Sequence, residues 1–169
     1  MKTIIVLAAL AAATVSAQVR RPSPDRFGGG SETVPAAIAL HVGGDSYAFT
    51  GDASCVYLER GSIYDLMASR WSVQQSDGNR SLALTVWHPA NGSADMINLS
   101  VSTGPGTQHS VDTVKVGSNG TVKGSGTAKF EKAGAGGLFT VDATTASGTK
   151  INGTIKCERF TAAVVAGGN

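Results

Sequence analysis

The sequence predicts an all-β domain, an antiparallel β-sandwich or partly closed barrel of about eight or nine strands with one disulfide, on three observations. Gly supplies 22 of 169 residues, hydrophobic residues 41% and charged residues only 15%. That composition excludes coiled coils, charged disordered chains and long amphipathic helices. From Pro35 onward, clusters of Gly, Asn and Asp recur every eight to twelve residues, and apolar and polar residues alternate between them. A period of two is the pattern of half-buried strands. The third observation is a pair of cysteines, Cys55 and Cys157, near opposite ends of this region.

Each strand follows from its alternation. Ile38, Leu40 and Val42 share one face of the first, Gly43-Gly44 turns the chain, and Tyr47 and Phe49 share a face of the second. Trp71, Val73 and Gln75 lead into Ser76-Asp77-Gly78-Asn79, a hairpin signal, after which Leu82, Leu84 and Val86 return. Ile97, Leu99 and Val101 alternate with Asn98, Ser100 and Ser102 before Gly104-Pro105-Gly106. Later strands are expected around 111–116, 121–131, 138–145 and 151–160, with turns at Ser118-Asn119-Gly120, 134–137 and Ser147-Gly148. Only residues 63–67 suggest a helical turn, because Ile63, Leu66 and Met67 fall at i, i+3 and i+4.

Outside the β domain, 35–160, residues 1–17 have the form of a secretory signal: Lys2, an apolar stretch, then Val15-Ser16-Ala17. The apolar stretch is shorter than the ~20 residues of a spanning helix, and no later segment qualifies, so no transmembrane segment is expected. No Cys follows the small residues, so no lipid anchor is expected either. The reading is a secreted or periplasmic protein. Residues 18–34, with two prolines, Gly28-Gly29-Gly30 and Arg20-Arg21, read as a flexible basic spacer, and 161–169 as a loose C-terminal tail. Without the signal the chain carries 13 basic and 12 acidic residues, and residues 35–169 carry 10 of each. A folded part without a basic excess gives no reason to expect a nucleic-acid partner.

In an oxidising compartment the two cysteines pair most simply with each other, two buried thiols being the alternative. Cys55 follows the parity of Tyr47 and Phe49, and Cys157 that of Ile151 and Ile155, so both can face a common interior.

Two segments carry a family likeness. His41-Val42-Gly43-Gly44 through Phe49-Thr50-Gly51 to Cys55, and Gly124-Ser125-Gly126-Thr127-Ala128 through Phe139-Thr140-Val141 to Gly153-Thr154-Ile155-Lys156-Cys157, resemble the small mycobacterial lipoprotein-antigen family. The resemblance implies a compact β-rich domain closed by a disulfide between an early and a near-terminal Cys. The lipobox cysteine of that family is absent here. With the signal, the resemblance implies a bacterial source, in which the sequons at Asn79, Asn91, Asn98, Asn119 and Asn152 are turn and strand asparagines rather than glycan sites.

Phosphate-loop, nucleophile-elbow and common zinc signatures are missing, and Gly124-Ser125-Gly126 has no following helix to make a dinucleotide loop. His41, His88 and His109 are isolated, so no metal or other cofactor is expected. A hydrolase would have to assemble dispersed carboxylates among Asp45, Asp52, Glu59, Asp65 and Asp95. The aromatic residues offer a ligand platform instead, since such rings suit sugars and peptides. Tyr57, Tyr64, Trp71 and Trp87 cluster between Cys55 and Pro89. Parity puts Trp71 inward with Val73 and Trp87 outward, opposite Leu84 and Val86, which makes Trp87, with Tyr64 and His88, the candidate platform. The expectation is a non-catalytic binding or structural module that meets an envelope or extracellular protein or a carbohydrate. The alternatives are a secreted hydrolase and a small inhibitor or immunity-type partner protein with a protruding loop.

Overall fold

The computed structural model describes residues 32–118, 120 and 122–163. The signal at 1–17, most of the spacer at 18–34, Asn119 and the tail beyond 163 lie outside them. The described residues form strands β1 (Thr33–Val42), β2 (Asp45–Ile63), β3 (Leu66–Asp77), β4 (Arg80–Pro89), β5 (Met96–Ser102), β6 (Gln108–Asp112), β7 (Ser125–Ala133), β8 (Gly136–Thr144), β9 (Lys150–Cys157) and the short β10 (Thr161–Ala162), with no helix among them. Of the two expected architectures the barrel is found: one sheet in the order β6-β5-β4-β3-β2-β1-β9-β8-β7, nearly closed on itself.

Every neighbour along this path is antiparallel. Because β9 lies beside β1, the alternation of direction leaves β6 and β7 running in the same sense. Between them, Asp112 and Lys123 exchange backbone hydrogen bonds of 2.8 and 2.7 Å, and the Asp112 carboxylate accepts from Val114 N and Asn98 Nδ2. The strands expected at 111–116 and 121–131 are displaced: β6 ends at Asp112 and β7 runs from Ser125 to Ala133.

Alternation decides the interior. Val34, Ala36, Ile38, Leu40 and Val42 of β1 are buried while the residues between them are exposed. The same parity sends Leu82, Leu84 and Val86, then Ile97, Leu99 and Val101, then Ile151 and Ile155, into one core. Burial of each such side chain is worth about 1.5–3 kcal/mol. One polar pair is enclosed there: the Tyr47 hydroxyl donates to Gln75 Oε1. Arg80 lies 4.8 Å from the Tyr47 ring centroid at that end of the barrel. In β9, Gly153 has φ +142°, and a Cβ there would stand 2.0 Å from the Ala39 carbonyl oxygen, so β1 and β9 come together around a missing side chain.

Cys55 and Cys157 form a disulfide across 102 positions of sequence. It joins β2 to β9, the two strands that flank β1. Beyond it, Thr161 and Ala162, expected in the loose tail, pair in parallel with Val56 and Tyr57. The helical turn expected at 63–67 is instead a hairpin: Ile63 pairs with Leu66 across Tyr64 and Asp65, whose φ values are +46° and +66°. Left-handed φ at both central positions matches the twist of a two-residue hairpin and ends any helix. Their apolar neighbours had imitated a helical stripe.

Candidate functional site

β2 is nearly twice as long as β1, and its two halves have different partners. Its first part pairs with β1 as far as Ser54, and its second runs on with β3 to Ile63 and Leu66. β4 follows β3 only to the Ala68 and Pro89 pair. The inward-facing side of β2, β3 and β4 therefore continues beyond the packed core and forms one lip of the barrel mouth.

Aromatic rings close the interior at this lip. Tyr57 and Trp71, partners in register, have centroids 5.0 Å apart. Trp71 meets Phe130 at 4.9 Å, and Phe130 meets its partner Phe139 at 4.9 Å and Phe160 at 5.7 Å. A Cβ on Gly137 would stand 2.2 Å from the Phe130 ring, so that glycine makes room for the layer. Offset and edge-on pairs of this kind add about 0.5–1.5 kcal/mol each beyond the area they bury.

Beside the layer lies a groove of about 320 Å³. Its shape depends on a bulge. The β2 register steps from Leu58 opposite Arg70 to Gly61 opposite Ala68, so Glu59 and Arg60 together face the single residue Ser69. In a regular strand consecutive side chains leave on opposite faces; the extra residue lets both Glu59 and Arg60 line the groove, with Tyr57 beside them. Met67 and Ser69 contribute from β3 and His88 from β4.

His88 is held from outside the strand. Its Nδ1 lies 2.7 Å from Asp95 Oδ1, with the two side chains 59% and 36% exposed. A carboxylate only accepts, so Nδ1 carries the proton of this contact, and in the neutral form of the ring Nε2 is then an acceptor. Asp95 reaches this position through the turn between β4 and β5, where Asn91 Oδ1 accepts from Ser93 N and Ala90 N donates to Met67 O. The His88 ring also stands edge-on to Trp71, centroids 6.5 Å apart. Ser69 is its register partner across the β3–β4 ladder.

The three platform residues occupy three different places. His88 lines the groove. Tyr64 stands at the β2–β3 turn, 53% exposed, with Met67 nearby equally so. Trp87, one residue from His88, takes the opposite face, where the Arg70 guanidinium lies 5.2 Å from its centroid. Trp71 packs against the core as expected. Glu59 and Asp95, named above only among dispersed acids, are the carboxylates at the groove, one on its wall and one behind His88. Arg60 and Ser69 had no signal in the sequence, because a bulge without a glycine at its extra position leaves no mark on the alternation, and Met67 read as part of a helical stripe. Among the described residues no three His, Cys, Asp or Glu side chains are grouped to hold a metal ion, and no helix is long and apolar enough to cross a membrane.

Comparison with known protein families, curated proteins and solved structures finds no match to this chain.

Proposed function

We propose that this protein is a secreted, non-catalytic β-barrel module of the cell envelope or extracellular space, and that it binds its partner at the barrel mouth. The observation that carries the reading is the contrast between the two regions of the inward face. The interior is filled by aliphatic side chains and closed by aromatic rings, whereas the adjoining groove gathers Glu59, Arg60, Ser69 and His88 around Tyr57. Mouths of β-barrels are common ligand sites, and an apolar floor with a few converging polar groups is their usual composition. The signal-like N-terminus, the disulfide and the resemblance to exported lipoprotein antigens support the location.

The test is a titration of the isotope-labelled protein with fractions of its native envelope or medium, followed by amide chemical shifts. Shifts centred on 57–60, 67–69, His88 and Ala90 are expected; shifts confined to other faces overturn the reading.

A second reading, a secreted hydrolase, is favoured by the ordered His88–Asp95 pair with Ser69 opposite it. It requires a fluorophosphonate probe to label Ser69 and Ser69→Ala to abolish ester turnover. Absence of both leaves the binding module.

A further inference from the structure

The barrel mouth has a chemistry that narrows its ligand class, and we propose that it is a subsite for an uncharged sugar ring, stacked against Tyr57 and hydrogen-bonded by Glu59, Arg60 and His88. This deepens, and rests on, the reading of the mouth as the binding site.

Adjacent hydroxyls on a sugar donate and accept at once, so a complementary wall needs an acceptor and a donor side by side. The bulge supplies them from consecutive residues: the Glu59 carboxylate accepts only, and the Arg60 guanidinium donates only. In its neutral form His88, its Nδ1 engaged by Asp95, adds an acceptor at Nε2, and the Asp95 contact orients the ring before any ligand arrives.

Charge disfavours anionic ligands. Glu59 stands beside Arg60 on one wall and the Asp95 carboxylate stands behind His88 on the other, so an anion drawn to the guanidinium meets carboxylates as well. A neutral polyol avoids that penalty and uses donors and acceptors together, where an ammonium group would use the acceptors alone.

Tyr57 supplies the apolar surface. Its ring is supported by Trp71, 5.0 Å away, so a flat C–H face can lie on it without ordering a mobile side chain. A groove of about 320 Å³ is at the lower end for ligand pockets and suits one or two rings rather than a long chain. An extended peptide adding to the edge of β2 is disfavoured, because β10 already pairs with Val56 and Tyr57 there.

The experiment uses the full mature chain and a panel of neutral saccharides (methyl mannoside, methyl glucoside, methyl galactoside, N-acetylglucosamine, maltose and cellobiose), with glucuronate, glucosamine and a short neutral peptide as contrasts. Amide shifts and tryptophan emission report binding at up to ~50 mM, far above the ~1 mM scale of weak sites. At least one neutral saccharide is expected to shift residues 57–60 and 88–90, and Glu59→Gln and Arg60→Met each to weaken it about tenfold with unchanged thermal midpoint. Silence from every neutral saccharide overturns the proposal. If glucuronate, glucosamine or the peptide then shifts the same residues, the sugar class fails while the mouth stands as a binding site. If envelope fractions shift only other faces, the mouth itself fails.

Discussion

Arg70 and Trp87 are register partners on neighbouring strands, and the guanidinium of the first lies over the ring of the second on the outer face of the barrel. Burial there lowers the Arg70 pKa from its ordinary value without removing its charge. The arrangement separates the two tryptophans energetically. Trp71 stands between Tyr57 and Phe130, whereas Trp87 rests beneath a single cation. Trp71→Ala is therefore expected to cost about 3 kcal/mol or more, and Trp87→Ala about 1 kcal/mol. Urea unfolding of the two variants checks the order, and equal losses would contradict it.

Cys55→Ala is expected to destabilise the barrel by about 2–5 kcal/mol, since the bridge closes a loop spanning 102 positions. Reduction of the native protein should lower its thermal midpoint by a matching amount. Peptide mapping without reductant should recover the two cysteines in one linked pair.

Tyr47 gives the fold a limit at high pH. Burial raises its pKa above the ordinary 10.0, Arg80 acts against that and Asp77 with it. The unfolded chain thus loses this proton before the folded one does. The contribution to stability is complete below about pH 10 and declines as pH rises toward the folded value. Denaturation curves between pH 9 and 12, read beside phenolate absorbance, should show stability falling with a matching delayed component (~1 proton). Tyr47→Phe removes the component but leaves Gln75 buried without its partner, for about 1–3 kcal/mol. Pairing it with Gln75→Leu should recover much of the loss.

Much of this barrel is legible in the sequence because Leu82, Leu84 and Val86, or Ile151 and Ile155, have only one face to bury. The pairing of Cys55 with Cys157 follows from the same parity and is found. Three features escape it, each for a physical reason. The Tyr64-Asp65 turn lacks the Asn-Gly that normally marks left-handed φ, so its flanking Ile63, Leu66 and Met67 read as a helix. The bulge at Glu59 and Arg60 changes how many residues oppose Ser69, a property of two strands together rather than of either. His88 meets Asp95 only because the intervening turn folds back, and no periodicity encodes a distance of that kind.

Replacing Tyr64-Asp65 by Asn-Gly should stabilise the protein by about 1 kcal/mol or more, because both residues adopt a conformation that side chains oppose. Thermal unfolding measures the gain. A loss of stability would mean that the Tyr64 ring packs more favourably than its exposure implies.

Gly153→Ala is expected to be severe for a change of one methyl group. Backbone conformation alone costs about 1–3 kcal/mol, and the new Cβ meets the Ala39 oxygen and the Leu40 Cα. Ala in place of the exposed turn glycine Gly92, whose Cβ meets nothing within 4 Å, should cost less, and unfolding of the two variants in parallel gives the comparison.

The neighbour of β1 across the sheet is β9, with Ala36 opposite Cys157 and Val42 opposite Ile151. Sequence neighbours cannot supply this partner, so a chain still emerging from the ribosome presents β1 with one bare edge until β9 is free. Such long-range closure makes for slow folding and leaves a template for pairing with other chains in the interval. Crowded, unfolded copies should therefore aggregate through β1, and β9, rather than any strand near β1 in sequence, sets when that hazard ends.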